Sequence, residues 1–89
     1  MSETEARKEI ILMNKTGLHA RPAAMFVQIA NKYESEITII KDEQEVNGKS
    51  IMGILMLAAE KGSRITIIAR GKDAETALEE LSKILETDI

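Results

Sequence analysis

The chain has 89 residues, 44% hydrophobic and 30% charged, with a net charge of -3, one histidine and no cysteine. That length holds one domain with one modest core. Disulfides, thiolate metal sites and His-rich zinc sites are excluded. The acidic balance, with Tyr33 and Phe26 as the only aromatics, leaves no broad attraction for nucleic acid and no base-stacking platform.

Residues 1–7 (MSETEAR) lack the apolar segment of a signal peptide. They read as a flexible N-terminal extension to a single domain at 8–89, in a protein expected to be cytoplasmic. The longest apolar stretch, residues 51–59, is far too short to span a bilayer, so no membrane partner is expected. Residues 9–13 are a short apolar run ended by Asn14, a length that suits a strand. Asn14-Lys15-Thr16-Gly17 follows as a loop, with Gly17 free to adopt angles that a side chain resists, and Thr16 and Gly17 leaving the approach to His19 uncrowded. Over residues 20–32 the apolar spacing becomes helical: Ala23, Phe26, Val27 and Ala30 recur at i, i+3, i+4 and i+7. Pro22 belongs in the first turn of that helix, where a missing N–H costs little. The helix therefore begins within a residue or two of His19.

Residues 37–41 form a β-branched strand, Asp42-Glu43 a turn, and residues 44–47 a more polar return strand expected at the sheet edge. Ser50 is suited to cap a second helix, with Gly62 just beyond its end. Residues 64–70 alternate, Ile65, Ile67 and Ala69 inward, with Ile68 the exception. Asp73 is expected to cap a last helix whose Ala74, Ala77, Leu78, Leu81, Ile84 and Leu85 form a core stripe. The order βαββαβα, with no long crossover, predicts an α+β fold: a four-stranded antiparallel sheet with three helices on one face.

A lone histidine at a helix start is most often a solvated cap. Three features argue for more at His19. A helix N-terminus presents free N–H groups and partial positive charge, which together attract an anion. Arg21 can add a charge-assisted contact to the same anion. The positive setting also favours a neutral imidazole, whose lone pair is available for attack. The helix end alone is worth about 0.3–1 kcal/mol, too little to make the ring unusual. Its value is in holding charge that arrives with a phosphoryl group. No second histidine, cysteine nucleophile or nucleotide-binding glycine loop accompanies it. An acceptor with no evident engine suggests a protein acted upon by others rather than an enzyme, and no cofactor or metal is expected.

Residues 50–59 have almost no polar face. Ile54, Leu57 and Ala58 share the side expected to meet the core, while Met52, Leu55, Met56 and Ala59 lie on another. Flexible methionines suit a surface that must fit several partners. Ser50 is explained by capping alone, but a phosphate there would also be tolerated electrostatically and would sit beside that surface.

Gly17-Leu18-His19-Ala20-Arg21-Pro22-Ala23-Ala24, with Asn47-Gly48-Lys49-Ser50-Ile51-Met52-Gly53 about thirty residues on, resembles the histidine-containing phosphocarrier (HPr) family of the bacterial phosphotransferase system. The resemblance covers roughly residues 8–86. It implies an open-faced β-sandwich in which His19 takes a phosphoryl group on Nδ1 from enzyme I and passes it to enzyme IIA domains, with Arg21 steadying the phosphohistidine. It further implies that Ser50 falls where many relatives carry the serine modified by an HPr kinase/phosphorylase, and that Ile51, Met52 and Leu55 fall in the docking surface. Ala20 and Met56 are expected to extend that surface, the protein is expected to be a monomer, and a phosphorylated Ser50 would alter binding to a transcriptional regulator or enzyme. Gln28 and Asn31 stand where some relatives carry lysines, which weakens the electrostatic part of docking. The Met56-Leu57-Ala58 stretch is similar to the nitrogen-branch paralogue, an alternative to sugar transport. A histidine-lacking regulatory relative is disfavoured by His19 itself. A ferredoxin-like binding module would share the element order but leave His19 without a role.

Overall fold

The structure, a computed structural model, describes residues 4–87. The elements are β1 (Glu5–Ile11), α1 (Ala20–Ala30), β2 (Glu36–Lys41), β3 (Gln44–Asn47), α2 (Ile51–Met56), β4 (Arg64–Arg70) and α3 (Ala74–Glu86). The strands make one sheet in the order β1-β4-β2-β3, antiparallel throughout. Alternation decides which face is covered. Ile10, Ile37, Ile39, Ile65, Ile67 and Ala69 are buried beneath the helices, and Arg64, Glu36 and Glu9 lie exposed on the open face. Phe26 of α1, Ile54 of α2 and Leu81 and Leu85 of α3 close the core, all fully buried. Each such side chain contributes about 1.5–3 kcal/mol relative to exposure. This is the open-faced sandwich expected from the element order.

Three local expectations need correction. Residues 5–7 are strand rather than a flexible extension: β1 starts at Glu5 and pairs with β4 from Glu5↔Arg70 to Ile11↔Arg64. The first residues of the predicted extension, 1–3, lie outside the described residues. The sequence there is polar because β1 is an edge strand with one face open, yet charges pair across it. The Arg70 guanidinium donates to the Glu5 carboxylate through Nε at 3.0 Å and Nη2 at 2.7 Å.

The second correction concerns the end of α2. The helix ends at Met56 with Leu57 as its right-handed C-cap, and the left-handed residue beyond is Ala58 (φ 49) rather than Gly62. Gly62 (φ 90) instead shapes the turn into β4, where its N–H donates to the Leu12 carbonyl at 2.9 Å. The reversal at Ala58 also exchanges two burial assignments: Ala58 is exposed and Ala59 is buried.

The third is Asp73. It stands at the N-cap of α3 but makes no side-chain cap bond. Its carboxylate accepts hydrogen bonds from the Glu34 and Ser35 amides, at 3.0 and 3.1 Å, and from the Ser35 hydroxyl. The carboxylate thus fastens the α1–β2 connection to the start of α3.

Candidate functional site

His19 is the N-cap of α1, in extended conformation (φ -96, ψ -170), and its ring makes no capping hydrogen bond. Its carbonyl accepts the Ala23 N–H at 3.1 Å and its own N–H donates to the Gly17 carbonyl at 3.1 Å. The backbone is therefore committed to starting the helix, which leaves the ring uncommitted. Of the two ring nitrogens, Nε2 is buried without a hydrogen-bond partner. Nδ1 is not enclosed in this way, and no group of the described residues bonds to it. The ring as a whole is half-buried, and the two nitrogens differ in that only Nε2 is sealed without a partner.

The helix end beside it is electrostatically open. Pro22 sits within the first turn and has no N–H; the Ala20 and Arg21 amides have no acceptor among the described residues. No acidic residue occupies the first turn, so the positive end is not neutralised from within. Arg21 is exposed and no ion pair within the described residues occupies its guanidinium. Free amides and a free guanidinium at one helix mouth can receive a dianionic group.

The loop that carries His19 is fixed from below. The Gly17 N–H donates to the Asn14 carbonyl at 3.0 Å, and the Leu18 N–H to the Ala59 carbonyl at 2.8 Å. Gly17 (φ 74) is buried, and a Cβ there would overlap the Ala59 oxygen. Its role is close approach to the segment after α2.

The second motif lies alongside, since α1 and α2 pack together. Ser50 caps α2 as expected: its hydroxyl accepts the Gly53 N–H at 3.1 Å. Ile51, Met52 and Met56 are exposed, the two methionines by about two thirds of their surface (65% and 66%). Ala20 is exposed as well, whereas Leu55 is half-buried against the core. Ile54 and Leu57 meet the core as the spacing predicts. Sequence reasoning missed Met25, exposed on α1. Its signal was available: it is an apolar residue off the core stripe, one turn from Arg21.

Residues 6–87 match the family described as PTS HPr component phosphorylation site. The chain belongs to the HPr phosphocarrier family. It is 51% identical over 81 residues to the HPr-like protein Crh of Halalkalibacterium halodurans, a match covering 91% of this chain and 96% of that one. The crystal structure of phosphocarrier protein HPr from Bacillus anthracis superposes with a TM-score of 0.87 at 51% identity, covering 91% and 96% of the two chains. Crh of Bacillus subtilis, crystallised as a domain-swapped dimer, superposes at 0.76 with 44% identity over 92% and 94%. Among the described residues no cluster of His, Cys, Asp and Glu could hold a metal ion, and no helix is long and apolar enough to cross a membrane.

Proposed function

We infer that this HPr-family chain is a phosphoryl relay in which His19 Nδ1 accepts the group from phosphorylated enzyme I and delivers it to an enzyme IIA domain in the cytoplasm. The observation that carries this reading is the asymmetry of the ring: Nε2 is sealed without a partner and Nδ1 is not, at the start of a helix whose first amides are unpaired. A neutral ring with its proton on Nε2 holds its lone pair on Nδ1. That pair forms the N–P bond as the bond to the donor breaks, and the donor keeps the electrons of the broken bond. The product ring retains its Nε2 proton, so no proton need move. The Ala20 and Arg21 amides and the Arg21 guanidinium then face the phosphoryl oxygens, a stabilisation in place before the reaction begins. Delivery is the reverse displacement on the next acceptor.

Docking is assigned to the surface of Ala20, Ile51, Met52, Leu55 and Met56, extended by Met25. A monomer is the proposed transferring unit. Phosphoenolpyruvate, enzyme I and the chain, with His19→Ala in parallel, test the assignment. An acid-labile adduct on the unaltered chain alone supports it, and an adduct that persists in the variant removes it.

A second reading concerns regulation. The relatives include Crh of Bacillus subtilis, a catabolite repression HPr. Ser50, half-exposed at the start of α2, is the proposed target of a kinase of the HPr kinase/phosphorylase kind. A phosphate there would stand next to Ile51 and Met52 and alter docking, to enzyme I or to a transcriptional regulator, without refolding the domain. Acid-stable modification abolished by Ser50→Ala is the test. The alternative is a nitrogen-branch relay through the same His19.

A further inference from the structure

Two non-glycine residues among the described residues have left-handed backbone, Asp42 (φ 56) and Ala58 (φ 49). Asp42 is the first residue of the tight β2–β3 turn, where aspartate tolerates that region and the hairpin requires it. Ala58 has neither excuse. Its Cβ is disfavoured there, and such conformations persist where the surrounding structure demands them.

The demand at Ala58 comes from both neighbours. Leu57 ends α2 and is buried, and Ala59 is buried one residue later, with exposed Ala58 between them. The Ala58 N–H still donates to the Leu55 carbonyl at 3.1 Å, so the reversal happens at this one residue. Its product is the orientation of Ala59. That carbonyl accepts the Leu18 N–H at 2.8 Å and lies against Gly17. Leu18 is the residue before the ring, and no side-chain cap holds the ring itself.

We propose that Ala58 is a positioning residue: its left-handed backbone aims the Ala59 carbonyl at the Leu18 N–H, and that bond sets where His19 stands relative to the docking methionines of α2. The proposal rests on the reading of His19 as acceptor. A β-branched side chain at Ala58 is driven out of the left-handed region and turns the Ala59 carbonyl away. Glycine keeps the geometry and removes the Cβ strain.

The experiment compares the full chain with Ala58→Val, Ala58→Gly and, as a control for strain elsewhere, Asp42→Val. Melting temperature, amide exchange at Leu18 and at the central β4 residue Ile67, and phosphoryl uptake from phosphorylated enzyme I are measured on each. Ala58→Val is expected to speed Leu18 exchange beyond any change at Ile67. It is also expected to lower the maximal rate of uptake by about tenfold to a hundredfold, with half-saturation by enzyme I within about twofold. Ala58→Gly keeps Leu18 protection and rate and raises the melting temperature. Asp42→Val lowers the melting temperature with neither site effect. Parallel exchange at Leu18 and Ile67 in Ala58→Val, or the same rate loss in Asp42→Val, overturns the proposal. Should Ala58→Val not fold, Ala58→Gly decides: a lower melting temperature or lost Leu18 protection overturns it. If the unaltered chain takes up no phosphoryl group, it is the acceptor reading that fails, and the Leu18 comparison still tests the positioning.

Discussion

The Asp73 carboxylate accepts both the amide and the hydroxyl of Ser35, thirty-eight residues away, and so joins the α1–β2 connection to the start of α3. Gly71 packs directly on Ser35 beneath this contact, leaving no room for a side chain. The Ser35 hydroxyl, followed by the Glu34 amide, holds Asp73 below the usual carboxylate range. The contact is therefore strongest ionised. Its contribution is present above the unfolded carboxylate pKa, about 3.9, and is lost as the pH falls through the lower folded value. Urea denaturation across the acid range should show Asp73→Asn less stable than the unaltered chain at neutral pH, the gap closing on acidification. A gap that stays constant with pH would break the assignment.

Tyr33, in the same connection, gives an alkaline counterpart. Its hydroxyl donates to the Glu80 carboxylate, and that hydrogen bond, ahead of burial, pushes the phenol up to about 12. Since the folded value lies above the unfolded one, about 10, the stabilisation is complete below pH 10 and disappears as the pH rises toward 12. A phenolate titration by absorbance should find the folded midpoint well above that of the urea-unfolded chain. In Glu80→Gln the midpoint should move toward the unfolded value.

Gly17→Ala introduces a Cβ into a left-handed position against the Ala59 carbonyl. The expected cost is about 1–3 kcal/mol of stability, measurable by urea denaturation. Because the strain falls two residues before His19, the rate of phosphoryl uptake should drop by more than the folded fraction does. An effect on stability alone would separate Gly17 from the site.

Much of this was legible in the sequence. The helix stripes and strand alternation work because one-sided burial imposes periods of 3.6 and 2, and α3 and β4 follow them closely. Pro22 and His19 marked the start of α1 because a proline fits the first turn and little else. Other features are set by partners distant in the chain. Glu5 to Arg7 read as a solvated end, since nothing local announces Arg70 as the cross-strand partner. The end of α2 was hidden because the left-handed residue is an alanine, so Gly62 drew the assignment. Asp73 is a good cap by composition, but Ser35 and Glu34 compete for its carboxylate and win. His19 could be picked out by type and place; which of its nitrogens is sealed is a three-dimensional fact.

Among the described residues, Met52 and Met56 are the most exposed large apolar side chains. Replacing either by glutamate should leave stability within about 0.5 kcal/mol, as for surface changes away from caps and cores. Half-saturation by enzyme I should rise by about tenfold or more, with the maximal rate kept, because an interface anchor is lost and the ring is untouched. A fall in maximal rate at unchanged half-saturation would place the docking surface elsewhere.

The most direct measurement of the central claim is nitrogen NMR of the chain carrying labelled imidazole, recorded before and after charging with phosphoenolpyruvate and enzyme I. The account predicts phosphorus coupled to Nδ1 of His19, with Nε2 retaining its proton. Phosphorus on Nε2, or a charged protein whose His19 spectrum does not change, would contradict it.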